Sequence, residues 1–251
     1  MKIPLRENKH LNPTIFLNAP PQSASTYLYD SLTTGLNYKC FNQPLLYGGI
    51  FPKKSIVTHW AQKSLNGHYV WQDNVEASEI NLLIIEQYFK RIVLHFRDPR
   101  QCIFSWIHHF PNVMQEVRAI TLKKLLNIDD TFFSKTIEQQ LDHLIETRFL
   151  HYIEYYKNWL NVLNSGKYNI KFLVTLFEEV LIKPNDVLKR ILDFYEINES
   201  SFVYPKIPIH GQQNFRGNST EGWQKAFTEK QKQKTSMLIP QEMKTKFNWE
   251  D

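Results

Sequence analysis

Four short apolar, β-prone runs punctuate this chain, each followed by a stretch with helical spacing. The first, Thr14 to Asn18 (TIFLN), stops at the turn residues Asn18, Pro20 and Pro21. Tyr27, Leu28, Leu32 and Leu36 then form the apolar stripe of a helix ending near Leu36, which Ser23 or Ser25 is placed to cap. His68 to Gln72 (HYVWQ) predicts a second strand, with a helix from about Ala77 to Phe89. Arg91 to Phe96 (RIVLHF) is the clearest strand, and Pro99 at a first helical position suits a helix to about Phe110. From Phe132 to Asn164, Leu141, Leu144, Ile145, Phe149, Ile153, Tyr156 and Leu160 predict one long helix or two joined helices. Lys171 to Phe177 (KFLVTLF) and a helix over Asn185 to Tyr195 restore the alternation. After Ile197 come Pro205, Pro208, Gly211, Gly217 and Gly222, then a short helix near Trp223 to Gln233. Strands alternating with helices predict an α/β fold with a central, mostly parallel sheet flanked by helices.

Length and composition narrow this picture. The 251 residues suffice for one large domain, expected to span 1–251 with its core at about 14–235. The formal charge of +5 favours an anionic partner: a nucleotide, an acidic sugar, nucleic acid or a membrane surface. The only dense basic stretch, Lys230 to Lys234, alternates with Gln and reads as a solvated helix face, so no nucleic-acid partner is expected. Cys40 and Cys102 lack metal-ligand spacing, and neither a disulfide framework nor a metal site is indicated. The N-terminus has no apolar core of signal-peptide length and no run is long enough to span a bilayer, so the expectation is a cytoplasmic protein.

Two segments carry candidate chemistry. Ala19 to Tyr27 lies where a parallel strand hands over to a helix, where free backbone N–H groups and the helix dipole favour a phosphate; Ser23, Ser25 and Thr26 add hydroxyls. It is not a Walker A loop, because GxxxxGK[ST] is absent. Arg97 follows the clearest strand and Ser105 lies eight residues on, a guanidinium fork and a hydroxyl on one helix start. The plainer reading pairs Arg97 with Asp98 or a helix end.

Together these segments resemble the sulfotransferases that use 3′-phosphoadenosine 5′-phosphosulfate. Pro21-Gln-Ser-Ala-Ser-Thr-Tyr-Leu28 is similar to that family's P-K-S-G-[ST]-[ST]-W-L, and Arg97-Asp-Pro to Ser105 is similar to its R-[ND]-P with a Ser eight after the Arg. Thr175 to Pro184 looks like its strand and acidic pair, and Arg216-Gly-Asn-Ser-Thr-Glu-Gly-Trp223 like its late loop. The resemblance implies a P-loop NTPase-like sulfotransferase architecture and transfer of a sulfuryl group to a hydroxyl or amine of a small-molecule or glycan acceptor. It places Gln22, Ser23, Ala24, Ser25 and Thr26 at the 5′ phosphate, Tyr27 near adenine, and Arg97, Ser105, Arg216 and Gly217 at the 3′ phosphate. Trp223 would anchor the late loop.

Two departures stand out. Gln22 and Ala24 replace the family's loop Lys and Gly, and removing one preorganised donor costs about 10²–10³ in rate. Asn74 falls where many members carry a His base, and an amide cannot take a proton. Asp73 and His108 are the first substitutes by position, with His59, His68 and Glu76 behind them. Two other readings follow: a module that binds adenosine 3′,5′-bisphosphate with catalysis impaired, and a nucleotide-dependent kinase.

Overall fold

The sheet is built from five strands, β1 (Ile15–Asn18), β2 (Lys39–Phe41), β3 (Tyr69–Asp73), β4 (Arg91–Phe96) and β5 (Lys171–Leu176), all pairing in parallel in the order β2-β3-β1-β4-β5. The computed structural model describes residues 13–41, 51–65, 67–113, 123, 126–206 and 222–249, and the side chains among them other than those of 110–113. The helices are α1 (Ser25–Leu36), α2 (Thr58–Ser64), α3 (Glu79–Tyr88), α4 (Pro99–Val113), α5 (Ile137–Ser165), α6 (Phe177–Ile182), α7 (Pro184–Phe194), α8 (Gly222–Ala226), α9 (Glu229–Leu238) and α10 (Gln241–Phe247).

Strand alternation divides the core in two. Ile15, Leu17, Val70 and Val93 pack with Leu28 and Leu32 of α1 and Leu188 and Ile191 of α7. Phe16, Trp71, Ile92 and Leu94 point the other way, into a larger cluster with α3, α4, α5 and α10. Both faces of the sheet are therefore buried, which is why its strands read as near-continuous apolar runs.

The long helical pattern resolves as a single 29-residue helix, α5. Thr136 and Gln139 form a capping box at its start, and Gly166 ends it at φ 60, a left-handed conformation that glycine adopts freely. The expected helix at 223–233 is two helices, because Thr228 forms a second capping box with Gln231 and starts α9 afresh. The start of α1 also differs from expectation. Its N-cap is Ala24 in the left-handed region, with no side-chain cap, since the Ser25 hydroxyl instead accepts from Gln72 Nε2 at 2.6 Å. The three-residue β2 and the short α2, α6 and α10 escaped periodicity.

This strand order places β1 between β3 and β4, with the chain crossing from one side of β1 to the other between β3 and β4. A crevice at the carboxyl ends of the strands is the general ligand position at such a switch point.

Candidate functional site

Register brings the two phosphate-type segments together. Asn18 at the end of β1 pairs with Leu94, so β4 runs on by His95 and Phe96 beside the loop that leaves β1. That loop is anchored at its start by Ala19 N–H, which donates to Asp73 O at 2.9 Å. Gln22 and Ala24 both take left-handed φ, 63° and 62°. A left-handed conformation costs a non-glycine residue roughly 1–2 kcal/mol, and turns of this kind converge backbone N–H groups into an anion-binding nest.

His95 holds the loop from beneath. It is fully buried, with Nε2 3.1 Å from Ser23 O and Nδ1 2.9 Å from Thr175 Oγ1. A carbonyl can only accept, so Nε2 carries the proton and Nδ1 accepts from the threonine. Burial lowers this imidazole to about 4, which keeps it neutral as a fixed donor.

Arg97 does not pair with Asp98. Its Nη1 donates to Gln22 O at 2.7 Å, and its guanidinium lies 3.8 Å from the centre of the Phe177 ring. Asp98 is taken instead by the fully buried Arg100 at 2.9 Å. Ser105 Oγ donates to Gln22 Oε1 at 3.0 Å, so Gln22 joins the loop to both ends of the second segment. Glu178 accepts from Asp98 N–H at 3.1 Å, and burial pushes its carboxyl up to about 7. Three buried polar atoms here have no hydrogen-bond partner: Ser23 Oγ, Arg97 Nε and one Glu178 carboxyl oxygen. A hydroxyl, a guanidinium nitrogen and a carboxyl whose protonated form burial favours, around a nest of N–H groups, suit the oxygens of a phosphate.

Helix α5 backs this constellation. Trp159 Nε1 donates to Val75 O at 3.1 Å, Tyr156 OH to Arg97 O at 2.7 Å, and Tyr152 OH to Pro21 O at 3.0 Å while accepting from Trp106 Nε1. On the other side, Arg100 lies 3.9 Å from the centre of the buried Trp223 ring. A Cβ on Gly222 would come within 2.7 Å of Phe104, so only glycine allows this approach to α4.

The model of the sulfotransferase domain family matches residues 83–247. This chain belongs to that family. Mouse sulfotransferase SULT7A1 complexed with PAP is similar in structure, with a TM-score of 0.58 at 16% identity over 93% of this chain and 84% of that one. The sulfotransferase domain from the curacin biosynthetic pathway gives 0.52 at 15% identity over 92% and 100%. At these identities the likeness is one of fold. No curated protein sequence matches the chain.

Within this sulfotransferase domain the expected site residues fall unevenly. Gln22, Ser23, Ala24 and Ser25 form the loop and its exit into α1, Thr26 is exposed and Tyr27 half-buried on the first turn. Arg216 and Gly217 lie outside the described residues. Asp73, beside Asn18, is buried and paired with the buried Lys54 at 2.6 Å, and it also accepts from Trp71 Nε1 and Asn74 N–H. Asn74 is half-buried, its side-chain oxygen without a hydrogen-bond partner. His108 is exposed on α4, edge-on to Phe104, and His59 is exposed on α2, edge-on to Trp60. His68 is exposed just before β3, edge-on to Tyr38, and Glu76 is half-buried just after it. His95 and the Lys54–Asp73 pair escaped sequence reasoning, for which a His inside an apolar strand was the one available signal; Tyr152 and Tyr156, which from sequence could wall an acceptor cleft, instead bond the carbonyls of Pro21 and Arg97. Among the described residues no helix is long and apolar enough to cross a membrane.

Proposed function

We propose that this chain transfers a sulfuryl group from 3′-phosphoadenosine 5′-phosphosulfate to a hydroxyl or amine of a small-molecule or glycan acceptor. One observation carries the reading: the left-handed nest at Gln22 to Ala24 is tied through Arg97 to the second segment, with Ser23 Oγ and Arg97 Nε left as unfilled donors. The complex of SULT7A1 with PAP agrees with this donor class.

In this reading the N–H groups of residues 23–26 and the Ser23 hydroxyl hold the 5′ phosphate, with Tyr27 near the adenine. Arg97, Ser105, Arg216 and Gly217 hold the 3′ phosphate. That phosphate does not react, so fixed charge there serves positioning. The bound donor supplies an activated sulfur whose bond to the 5′-phosphate oxygen breaks as the acceptor's oxygen or nitrogen bonds to it, the electron pair leaving on phosphate. His95 keeps the loop carbonyl turned away from that phosphate. Ser105 must give up Gln22 Oε1 to donate to the 3′ phosphate. Asp73 stands nearest β1 among the proposed bases and is tied to Lys54 and two N–H donors; the acceptor proton passes to Asp73, His108 or solvent.

Isothermal titration with adenosine 3′,5′-bisphosphate tests the reading. Arg97→Ala is expected to weaken binding on the order of a hundredfold, the loss of a charge-assisted pair of bonds. No binding by the parent protein, or equal binding by the variant, would sink it. The uncharged Gln22 favours one second reading, a module that binds the bisphosphate without turnover. Sulfuryl transfer from labelled donor to any acceptor decides against that.

A further inference from the structure

The same face of α5 that backs the loop carries a cation with no counter-ion among the described residues. Moving toward the helix N-terminus, Trp159 bonds the carbonyl just past β3, Tyr156 the carbonyl just past β4, and Tyr152 the carbonyl of Pro21, three residues past the end of β1. The contacts thus climb outward from the strand ends. The next residue on that face is Arg148, one turn beyond Tyr152.

Arg148 is half-buried, and its Nε is enclosed without a hydrogen-bond partner. Its Nη1 lies 3.4 Å from His151 Nδ1, and no carboxylate comes within ion-pair distance among the described residues. Burial lowers its pKa from the ordinary arginine value, because desolvation penalises the charged guanidinium. The fully buried Arg100, by contrast, has Asp98. Segment 51–54 faces this stretch of α5: Phe51 packs on Tyr152 and Tyr155 with ring centres 5.1 and 5.3 Å apart, and Lys54 reaches Asp73. Lys53, exposed between them, adds to the positive field on His151, which burial and Arg148 already hold below its ordinary value. Only Glu154 acts on that imidazole in the opposite sense.

We infer that Arg148, with His151 and Lys53, forms a recognition site for an anionic group (carboxylate, phosphate or sulfate ester) carried by the acceptor, about one helical turn outward from the loop that binds the donor. The inference rests on the sulfuryl-transfer reading. It narrows the acceptor from any alcohol or amine to one that bears a negative charge beside its nucleophile. The charge compensates a guanidinium that has no carboxylate partner among the described residues, and an acceptor without it leaves that cation uncompensated.

Matched pairs of acceptors provide the test: para-hydroxyphenylacetate and para-hydroxyphenylethanol, glucuronate and glucose, glycerol phosphate and glycerol. Binding is measured by calorimetry in the presence of adenosine bisphosphate, and KM and kcat with labelled donor. At least one anionic member is expected to bind on the order of tenfold or more tightly than its neutral partner. Arg148→Met is expected to abolish that preference while leaving bisphosphate affinity and the neutral partner's kcat unchanged, and Arg148→Lys to restore part of it. Equal binding within every pair, no binding of any anion, or a preference that survives Arg148→Met overturns the inference. A parallel loss of bisphosphate affinity in Arg148→Met also overturns it, because Arg148 then serves the donor. Bisphosphate binding with transfer only to neutral acceptors would sink the inference and leave the sulfuryl-transfer reading standing. A preference for anions without any bisphosphate binding would do the reverse.

Discussion

In the proposed reading Gln22 stands where the resemblance puts the family's loop lysine, and its two oxygens are both engaged: the backbone one by Arg97, the side-chain one by Ser105. On that reading it organises the loop without neutralising the phosphate that departs. Gln22→Lys should restore the missing charge and release the Ser105 hydroxyl together. Turnover with labelled donor is expected to rise by about 10²–10³, the usual worth of one preorganised donor. Unchanged turnover would mean that the absent cation does not limit the chemistry. The identity of residue 22 was plain from sequence, as were Arg97 and Ser105. Its bonds were not, because they join atoms 75 and 83 residues apart in the chain.

At the scale of elements, the segment before α2 is clamped to the end of β3 by Lys54 and Asp73, both nearly inaccessible to water. Asn81 on α3 reinforces the clamp by donating to Lys54 O and Glu76 O and accepting from Ile56 N–H. Asp73→Asn leaves a buried ammonium unpaired, and breaking a buried pair from one side costs about 3–5 kcal/mol. Urea unfolding should register that loss, and replacing Lys54 by Met in the same chain should recover part of it. A loss under about 1 kcal/mol would show that the pair is not a structural clamp. Neither partner stood out in sequence for this role: Asp73 read as a base at a strand end, and Lys54 as one lysine among many. Buried charge pairs are made by tertiary approach, and no periodicity announces them. The main strands and α5 were legible because their apolar periods are long. The two-helix break at Thr228 was not, since a capping box competes locally with a continuing stripe.

For the whole molecule, His95 and Glu178 set opposing pH dependences. His95 is lowered from 6.5 to about 4, so the unfolded chain takes up its proton first and stability falls as pH drops from 6.5 toward 4. Glu178 is raised from 4.5 to about 7, so its contribution is present below pH 4.5 and lost as pH rises toward 7. Between pH 4.5 and 6.5 the two offset one another. Against the parent protein, His95→Gln should make stability fall more steeply with rising pH across that window. Glu178→Gln should make it rise more steeply. Denaturant midpoints at several pH values check this, and parallel profiles for all three proteins would refute it.

The sequence by itself determined the α/β alternation, the parallel sheet and the family resemblance, because these depend on local periodicity and on short motifs whose residues lie within a few positions of one another. Tertiary structure alone decided the strand order that sets β1 between β3 and β4, the neutral His95 under the loop, the diversion of Asp98 to Arg100 and the enclosure of Arg148 Nε without a hydrogen-bond partner. Those are properties of burial and of contacts between residues distant in the chain. Desolvation and pairing, which fix what a charged side chain does, come into being only when the elements pack.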